Sequence, residues 1–569
     1  MPWARHPILC LCRTNGQPLR RYLGEILIQE GYVCFDGEHL DSVPDLEAAL
    51  SGRALVFLSA SSLQPAEVAV IVDHVRRGGR MILVKPSVNL LEALSVNIVE
   101  RPHRVYGEAP PAYARIEEHP WTGAHGGLAV QVHAPTTLCR LEGVRVIAYT
   151  ALRRDEASPF PAAFELNVGQ GRAAVFLFEV GQSIVLTRQG DPRRASNSGW
   201  PREDAGVVKP GTMLYGHLDP ELRDVPQADV WADLLVGTIR GLTDDALPIP
   251  RLWHFPDDSP ALTLLDGDSD AYNWDAYEKL VEPCVAQGVP YTLNMMPKHL
   301  AELDRKTADG WVARGNDFQL HYRLPTGKPA VEDARQCLPE QQELFRKTLG
   351  RESVTTRGHS VLWPGYTEMA AILANCGVRM ETNYMPFRGC QYGYCGSARP
   401  GRYITLNGQT LEVSQQPTTF MDDPMSNEKS GLPARSPDDA YEIMTRFYDQ
   451  AVRQYHGVVC TCLHPVSYGE PRNLRFADLQ PAMRQAVLDA TRRLGLKAMT
   501  LPAWSDFHEA RRGIDMWLES DHWFARTDRD IDGLTVHCPG TDGTVCQGHA
   551  WRTFRWSAKA GESLDLGPR

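Results

Sequence analysis

Residues 6–84 alternate short apolar runs with amphipathic ones. HPILCLC, ALVFLSA and RMILV are brief, rich in Ile, Leu and Val, and read as buried strands. Between them, LRRYLGEILIQEG reads as a helix closed by Gly31. In SSLQPAEVAVIVDHVRRGG, Val68, Ile71, Val72 and Val75 fall at i, i+3, i+4 and i+7, so one helix face is apolar. Pro65 suits the first turn of that helix, and Gly78-Gly79 stops it. Strand–helix–strand order of this kind predicts a parallel sheet with right-handed crossovers.

The pattern then changes. Residues 101–165 hold shorter β-like runs such as GLAVQVHA and VRVIAYTAL, and 190–228 is rich in Gly, Pro and charge and reads as loop. VWADLLVGTIRGL reads as a closing helix, and the proline-rich DDALPIPRLWHFPDDSP marks a boundary near 245–260. A second alternation starts at ALTLLDGD and runs through YTLNMM, TEMAAILANCG, VRMETNY, GVVCTCLHP and LKAMTL. Within it SPDDAYEIMTRFYDQAVRQYHG is a well-signed helix, with Ser436 as N-cap, Pro437 at the first position and acids in the first turn. Residues 513–569 turn to TVHCPG, TVCQG and TFRWSA, a small β-rich extension. The expected organisation is α/β throughout: 1–250 as a flavodoxin- or Rossmann-like parallel sheet with a β-rich insertion, 255–512 as a second βα unit, and 513–569 as the extension.

Composition narrows the class. With 569 residues, 43% apolar and 23% charged, the chain is of ordinary globular make-up. Its net charge of −11, with no basic run, argues against a nucleic-acid partner. No apolar run approaches the roughly 18 residues of a membrane span, and MPWARHPILCLC has no secretory h-region, so a cytoplasmic location is expected. The 13 cysteines are scattered and odd in number, which is no disulfide framework. Cys390 and Cys395 share a Gly/Tyr-rich loop without a second pair at metal-binding spacing. Oligomeric state is left open.

Chemistry concentrates in the second alternation. LTLLDGDSD ends an apolar run in Asp266, Asp268 and Asp270. His321 follows a candidate strand in GNDFQLHYRLP, Arg357 and His359 lie in TTRGHSVLW, and His464 ends GVVCTCLHP. All fall at or just beyond the carboxyl ends of candidate parallel strands, where α/β folds assemble sites from distant positions. Asp270 reads as a helix cap for the segment starting near Trp274.

These motifs resemble those of the polysaccharide deacetylase (NodB-homology) family over residues 255–510. The resemblance implies a distorted (β/α) barrel binding a divalent metal, usually zinc, through one Asp and two His. It also implies hydrolysis of acetyl groups on amino sugars or glycans. Carried onto this chain, it makes Asp266 the base, Asp268, His321 and His359 the metal ligands, Arg357 the partner that lowers the pKa of the base, and His464 the acid. An ungapped register would instead make Asp266 the ligand. The family's second motif places a histidine four residues after the first; here that position is Pro325. Trp363, Tyr366 and Tyr384 are candidates to stack on a sugar ring or to pack in the core. The alternatives are a catalytically impaired glycan-binding scaffold and a metal-dependent amidase for a small molecule. Residues 5–245 resemble class I glutamine-amidotransferase-like domains, but the loop after ALVFL carries Ser59, Ser61 and Ser62 and no nucleophilic Cys elbow exists, which implies a non-catalytic domain.

Overall fold

The computed structural model describes residues 3–14, 16–100, 112–156, 158–195, 208–325, 330–426, 431–465, 468, 478–546 and 549–569. Residues 196–207 of the loop-like stretch and Gln547-Gly548 of the TVCQG run lie outside these.

The N-terminal strands are β1 (Ile8–Arg13), β2 (Phe35–His39), β3 (Leu55–Ala60), β4 (Arg80–Val84) and β5 (Gly171–Phe176). They lie side by side in the order β2-β1-β3-β4-β5, all parallel. That is the flavodoxin-like order of doubly wound sheets. Four antiparallel strands between 112 and 168 extend the sheet beyond β5. Helix α1 (Pro65–Arg76) starts with Pro65 at its first turn and buries Val68, Ile71, Val72 and Val75, as their spacing predicts. The stretch read as loop from 190 holds short helical turns at Pro192–Arg194, Pro210–Leu214 and Pro220–Leu222. It leads into α2 (Gln227–Thr243).

The second sheet is a half-barrel. Its strands are β6 (Leu262–Asp268), β7 (Thr292–Met295), β8 (Asp317–Tyr322), β9 (Thr355–Gly358), β10 (Met380–Glu381), β11 (Thr410–Gln415), β12 (Phe420–Met421), β13 (Val458–Cys462) and β14 (Lys497–Met499). They run β11-β10-β9-β8-β7-β6-β13-β12, with β14 paired to the start of β6. These pairings are all parallel; the antiparallel Gly401–Ile404 strand closes one edge. Every residue of β6 is buried, which explains why its pattern is apolar rather than alternating. Helix α3 (Trp274–Val285) follows β6, and α4 (Pro437–Gln450) carries Ser436 as its N-cap, with the Oγ accepting from Asp439 N. Helix α5 (Leu479–Leu494) packs against α4.

The two sheets are not held apart. One continuous apolar core contains Ile8 and Phe57 from the first sheet together with Leu264 and Val459 from the second. The proline-rich stretch near 251 pairs as a strand, Arg251–Leu252, with Ile531–Cys546 of the C-terminal hairpin. No helix among the described residues is long and apolar enough to cross a membrane. Twelve cysteines, Cys390 and Cys395 among them, are free thiols.

Candidate functional site

Alternate residues of a strand face the same side, so β6 delivers Asp266 and Asp268 together to the inner face of the half-barrel at its carboxyl end. Gly267 between them is fixed by space. A Cβ there would stand 1.9 Å from both Leu463 O and Tyr291 Oη.

Arg357, at the end of β9, organises the acids. It is fully buried and donates from Nη1 and Nη2 to Oδ1 and Oδ2 of Asp266 at 3.0 and 2.9 Å. It also donates to Asp268 Oδ1 at 3.1 Å, Cys462 Sγ at 2.9 Å and Thr418 Oγ1 at 2.9 Å. Asn294 Nδ2 donates to the same Asp268 oxygen at 3.0 Å. Asp268 Oδ1 is thus doubly held, while Oδ2 faces His464 Nε2 at 3.9 Å.

The histidines close around the next acid out. His321 Nδ1 donates to Arg357 O at 3.0 Å, which leaves Nε2 toward Asp270 Oδ1 at 3.4 Å. Both of these atoms are buried without a hydrogen-bond partner. His359 Nε2 stands 4.0 Å from the same Asp270 oxygen, and the two imidazoles meet edge to face at 5.6 Å. His464 Nε2 lies 3.8 Å from Asp270 Oδ2. Its Nδ1 donates to Asp422 Oδ1 at 2.6 Å, its main-chain N–H donates to Asp422 Oδ2 at 2.7 Å, and Gln480 braces both residues.

Burial raises the Asp266 carboxyl above its ordinary range, and Arg357 does not reverse it. The expected lowering of this pKa by Arg357 is therefore overridden by desolvation. Burial pushes Asp268 the same way, but His321, Arg357 and His464 together hold it well below the usual carboxylate range. Asp270 is also lowered, His321 and His464 outweighing its burial. Burial opposes the charge on His464, yet Asp422, Asp268 and Asp270 raise its pKa well above the ordinary value. Burial and the neighbouring His321 depress His359. The site therefore sets an ionised Asp268 opposite a protonated His464.

Three expectations are corrected by these contacts. Both oxygens of Asp266 are paired with Arg357 and the residue is fully buried, so Asp266 anchors the arginine, while Asp268 keeps an oxygen, Oδ2, that Arg357 does not hold. Asp270 does not cap the next helix: Asn273 does, its side chain accepting from Ala276 N, and Asp270 points among the three histidines. Trp363, Tyr366 and Tyr384 are buried rather than presented to a sugar. Trp363 stacks on Tyr403 at 5.8 Å, and the hydroxyls of Tyr366 and Tyr384 donate to Gly190 O and Gln189 O of the N-terminal half.

Two donor sets could hold a cation. Ligand atoms of Asp268, Cys462 and His464 lie within 4.8 Å of one another. Arg357 occupies two of these three residues, however, and a guanidinium repels a cation. In the other set, Asp270 Oδ1 and His321 Nε2 are buried without a hydrogen-bond partner and His359 Nε2 stands 4.0 Å from the same Asp270 oxygen. One carboxylate and two imidazoles match the donor types of an open zinc site, although among the described residues only Asp268, Cys462 and His464 bring three ligand atoms within 4.8 Å of one another.

A second buried cluster lies at the carboxyl ends of β1, β3, β4 and β5. Ser59 donates to Glu179 Oε2 at 2.8 Å, and Arg20 Nε stands 3.1 Å from that oxygen. Lys85 follows β4 with a left-handed φ of 45° and donates to Thr137 Oγ1 at 2.7 Å and Leu177 O at 3.3 Å. The strained elbow of this sheet is thus at Lys85 after β4, not in the Ser59–Ser62 loop.

No protein-family profile matches the sequence, and no curated protein matches it. Solved structures similar to the chain include carbohydrate deacetylases. Agd3, described as a novel carbohydrate deacetylase, is 10% identical over 99% of this chain and 98% of that chain, with a TM-score of 0.42. Puue allantoinase is 10% identical over 45% of this chain and 92% of its own, with a TM-score of 0.32. A family 4 carbohydrate esterase from Streptomyces lividans is 11% identical over 42% of this chain and 92% of its own, with a TM-score of 0.26.

Proposed function

We propose that the half-barrel is a metal-dependent hydrolase that removes an acetyl or similar acyl group from the nitrogen of an amino sugar or glycan. The observation that carries this reading is the convergence of Asp268, held by Arg357 and Asn294, and His464, held by Asp422, on a half-exposed acid flanked by two imidazoles. The substrate class rests on the resemblance of LTLLDGD, RGH and CLHP to the deacetylase motifs.

Asp270, His321 and His359 would hold the ion, with Asp270 in the place that the sequence reading gave to Asp268. A bound divalent ion such as zinc supplies Lewis acidity toward the amide carbonyl and its attacking water. The protein's groups do the rest. Asp268 Oδ2, the free oxygen, accepts the proton of that water, while Asn294 and Arg357 fix Oδ1. His464, oriented by Asp422, gives its Nε2 proton to the departing nitrogen as the C–N bond breaks. Asp266 keeps Arg357 in place. Residues 1–250 form, in this reading, a non-catalytic amidotransferase-like domain that supports the barrel, and 513–569 a β extension bound to its linker.

Metal content and acetate release from N-acetylated sugar oligomers, with small amides and ureides as a parallel panel, test the reading. Asp268→Asn and His464→Asn are each expected to lower kcat by about 10²–10⁴-fold with the metal retained. Less than about 0.2 metal ions per chain, with no activity lost on chelation, would favour a glycan-binding scaffold instead.

A further inference from the structure

The peptide joining Arg357 to Gly358 is gripped on both faces. Its carbonyl accepts the Nδ1–H of His321 at 3.0 Å. Its N–H, on Gly358, donates to Asn383 Oδ1 at 2.8 Å. A carbonyl accepts only, so this contact fixes a proton on Nδ1; in the neutral ring, the form that ligates a metal, the lone pair then lies on Nε2, the atom facing Asp270. The orientation of one peptide plane therefore decides which nitrogen of His321 is free.

Asn383 is held in turn. Glu381 Oε2 accepts from both Asn383 N at 2.6 Å and Asn383 Nδ2 at 2.8 Å, and Glu381 Oε1 accepts from Tyr403 Oη at 2.5 Å. Tyr322 Oη donates to Asn383 Oδ1 at 3.3 Å. Glu381 and Asn383 are fully buried, so these bonds are not shared with solvent. Because Nδ2 is pinned on Glu381, the amide of Asn383 cannot turn over and must offer its oxygen to Gly358. Immediately beyond, Ser360 and Val361 adopt left-handed φ of 58° and 48°, a conformation that a β-branched residue keeps only where its surroundings over-determine the backbone.

We infer that Asn383, locked by Glu381, is a positioning residue that clamps the Arg357–Gly358 peptide and thereby sets the tautomer and aim of His321. The relay runs carboxylate, amide, peptide, imidazole. It does with one peptide interposed what a carboxylate bonded directly to a ligating histidine does, and such outer partners are worth about 10–100-fold in metal affinity. The inference deepens the proposed metal-dependent reading and rests on it for its consequence, but the clamp itself is a property of the metal-free chain.

The test uses the full chain with [15N]histidine. In the metal-free wild type, at a pH where the ring is neutral, the proton of His321 is expected on Nδ1 and not on Nε2. Asn383→Ala should mix the two tautomers and weaken zinc binding, measured by competition calorimetry well below the unfolding midpoint, by about 10–100-fold. Glu381→Gln removes the charge and leaves one acceptor oxygen where the carboxylate has two, so it can still hold Asn383 but no longer accept from Tyr403 Oη; with Asn383 held it should keep the tautomer and weaken zinc only about threefold, through lost polarisation along the relay. An Asn383→Ala protein with the wild-type tautomer, or with unchanged zinc affinity, overturns the clamp, because a merely structural role would lower the midpoint without moving either readout. Should Asn383→Ala not fold, Glu381→Gln decides: an unchanged zinc affinity overturns the relay. A wild type that binds no zinc removes the proposed function, and the tautomer comparison then decides the clamp alone.

Discussion

The molecule gathers buried charge at the carboxyl ends of both parallel sheets, and the two clusters balance it in opposite ways. In the first sheet Arg20, Ser59, Lys85 and Glu179 are all buried. Burial pushes the Glu179 carboxyl up to about 7 and the Lys85 amine down to about 8, so both lean toward their neutral forms. In the half-barrel the side chains of Asp270 and His359 keep 40% and 32% of their exposure, and Asp268 stays ionised. A sealed cluster must neutralise itself from within. An open one can hold unbalanced carboxylate and leave its compensation to a ligand, and that is the mark of a site.

The contrast is broken most forcefully at its two arginines. Arg357→Met leaves Asp266 and Asp268 buried without their cation and is expected to cost about 3–5 kcal/mol in urea unfolding. Arg20→Met should cost distinctly less, because the Glu179 it abandons can take up a proton near neutrality; equal losses would erase the distinction.

The pH dependence comes next. Glu179 has a folded pKa raised from 4.5 to about 7, so its contribution is fully present below 4.5 and is lost as pH climbs through 7. At 1.36 kcal/mol per unit this amounts to roughly 3 kcal/mol. Glu179→Gln should flatten the stability curve between pH 5 and 7.5, measured by unfolding midpoints on 0.5-unit steps (about 3 kcal/mol across the window). Asp268 acts in the other direction: its depressed pKa means its contribution persists through that window and fades only in acid, as pH falls through the folded value.

Opening to a ligand is sharpened by Asp270→Asn. It should reduce zinc affinity by about 100-fold or more, and the metal-free chain should lose only the attraction to His321 and His464 that lowers the Asp270 pKa, since Asp270 Oδ1 has no hydrogen-bond partner to lose. The matching Lys85→Met change in the first sheet should leave zinc affinity untouched. The smallest effect is expected from Tyr384→Phe, which removes the donor to Gln189 O and should cost about 1 kcal/mol without altering KM for any sugar. A raised KM would return that ring to the substrate.

Much of this was legible in the sequence because it is local. Apolar runs ending in acid or histidine located β6, β8 and β13, and the spacing of Val68, Ile71, Val72 and Val75 gave α1 its buried face. What escaped depends on partners far along the chain. Asp270 looked like a cap because the true cap, Asn273, sits three residues on, and only the fold brings His321, His359 and His464 around it. Asn294 and Asp422 each contribute one hydrogen bond or one brace from a neighbouring strand, with no motif beyond an acid following the short β12; the Met421-Asp422-Asp423-Pro424 run was the only signal. Trp363, Tyr366 and Tyr384 could be read either as sugar platforms or as core, because the backbone that covers Tyr366 and Tyr384 belongs to residues 189–190.

Asp229 on α2 is buried in the N-terminal half, yet its carboxylate accepts from Ser397 Oγ and from the main-chain N–H groups of Ala398 and Arg399 in the barrel, at 2.6–3.0 Å. Arg399 answers by reaching back to Asp233 Oδ1 at 2.9 Å. Each half thus completes the other's hydrogen bonding. A protease or a truncation that removed the first 250 residues would strip the 397–399 turn of its counterion, so the half-barrel is expected to be insoluble when expressed alone and the whole chain to unfold in a single step.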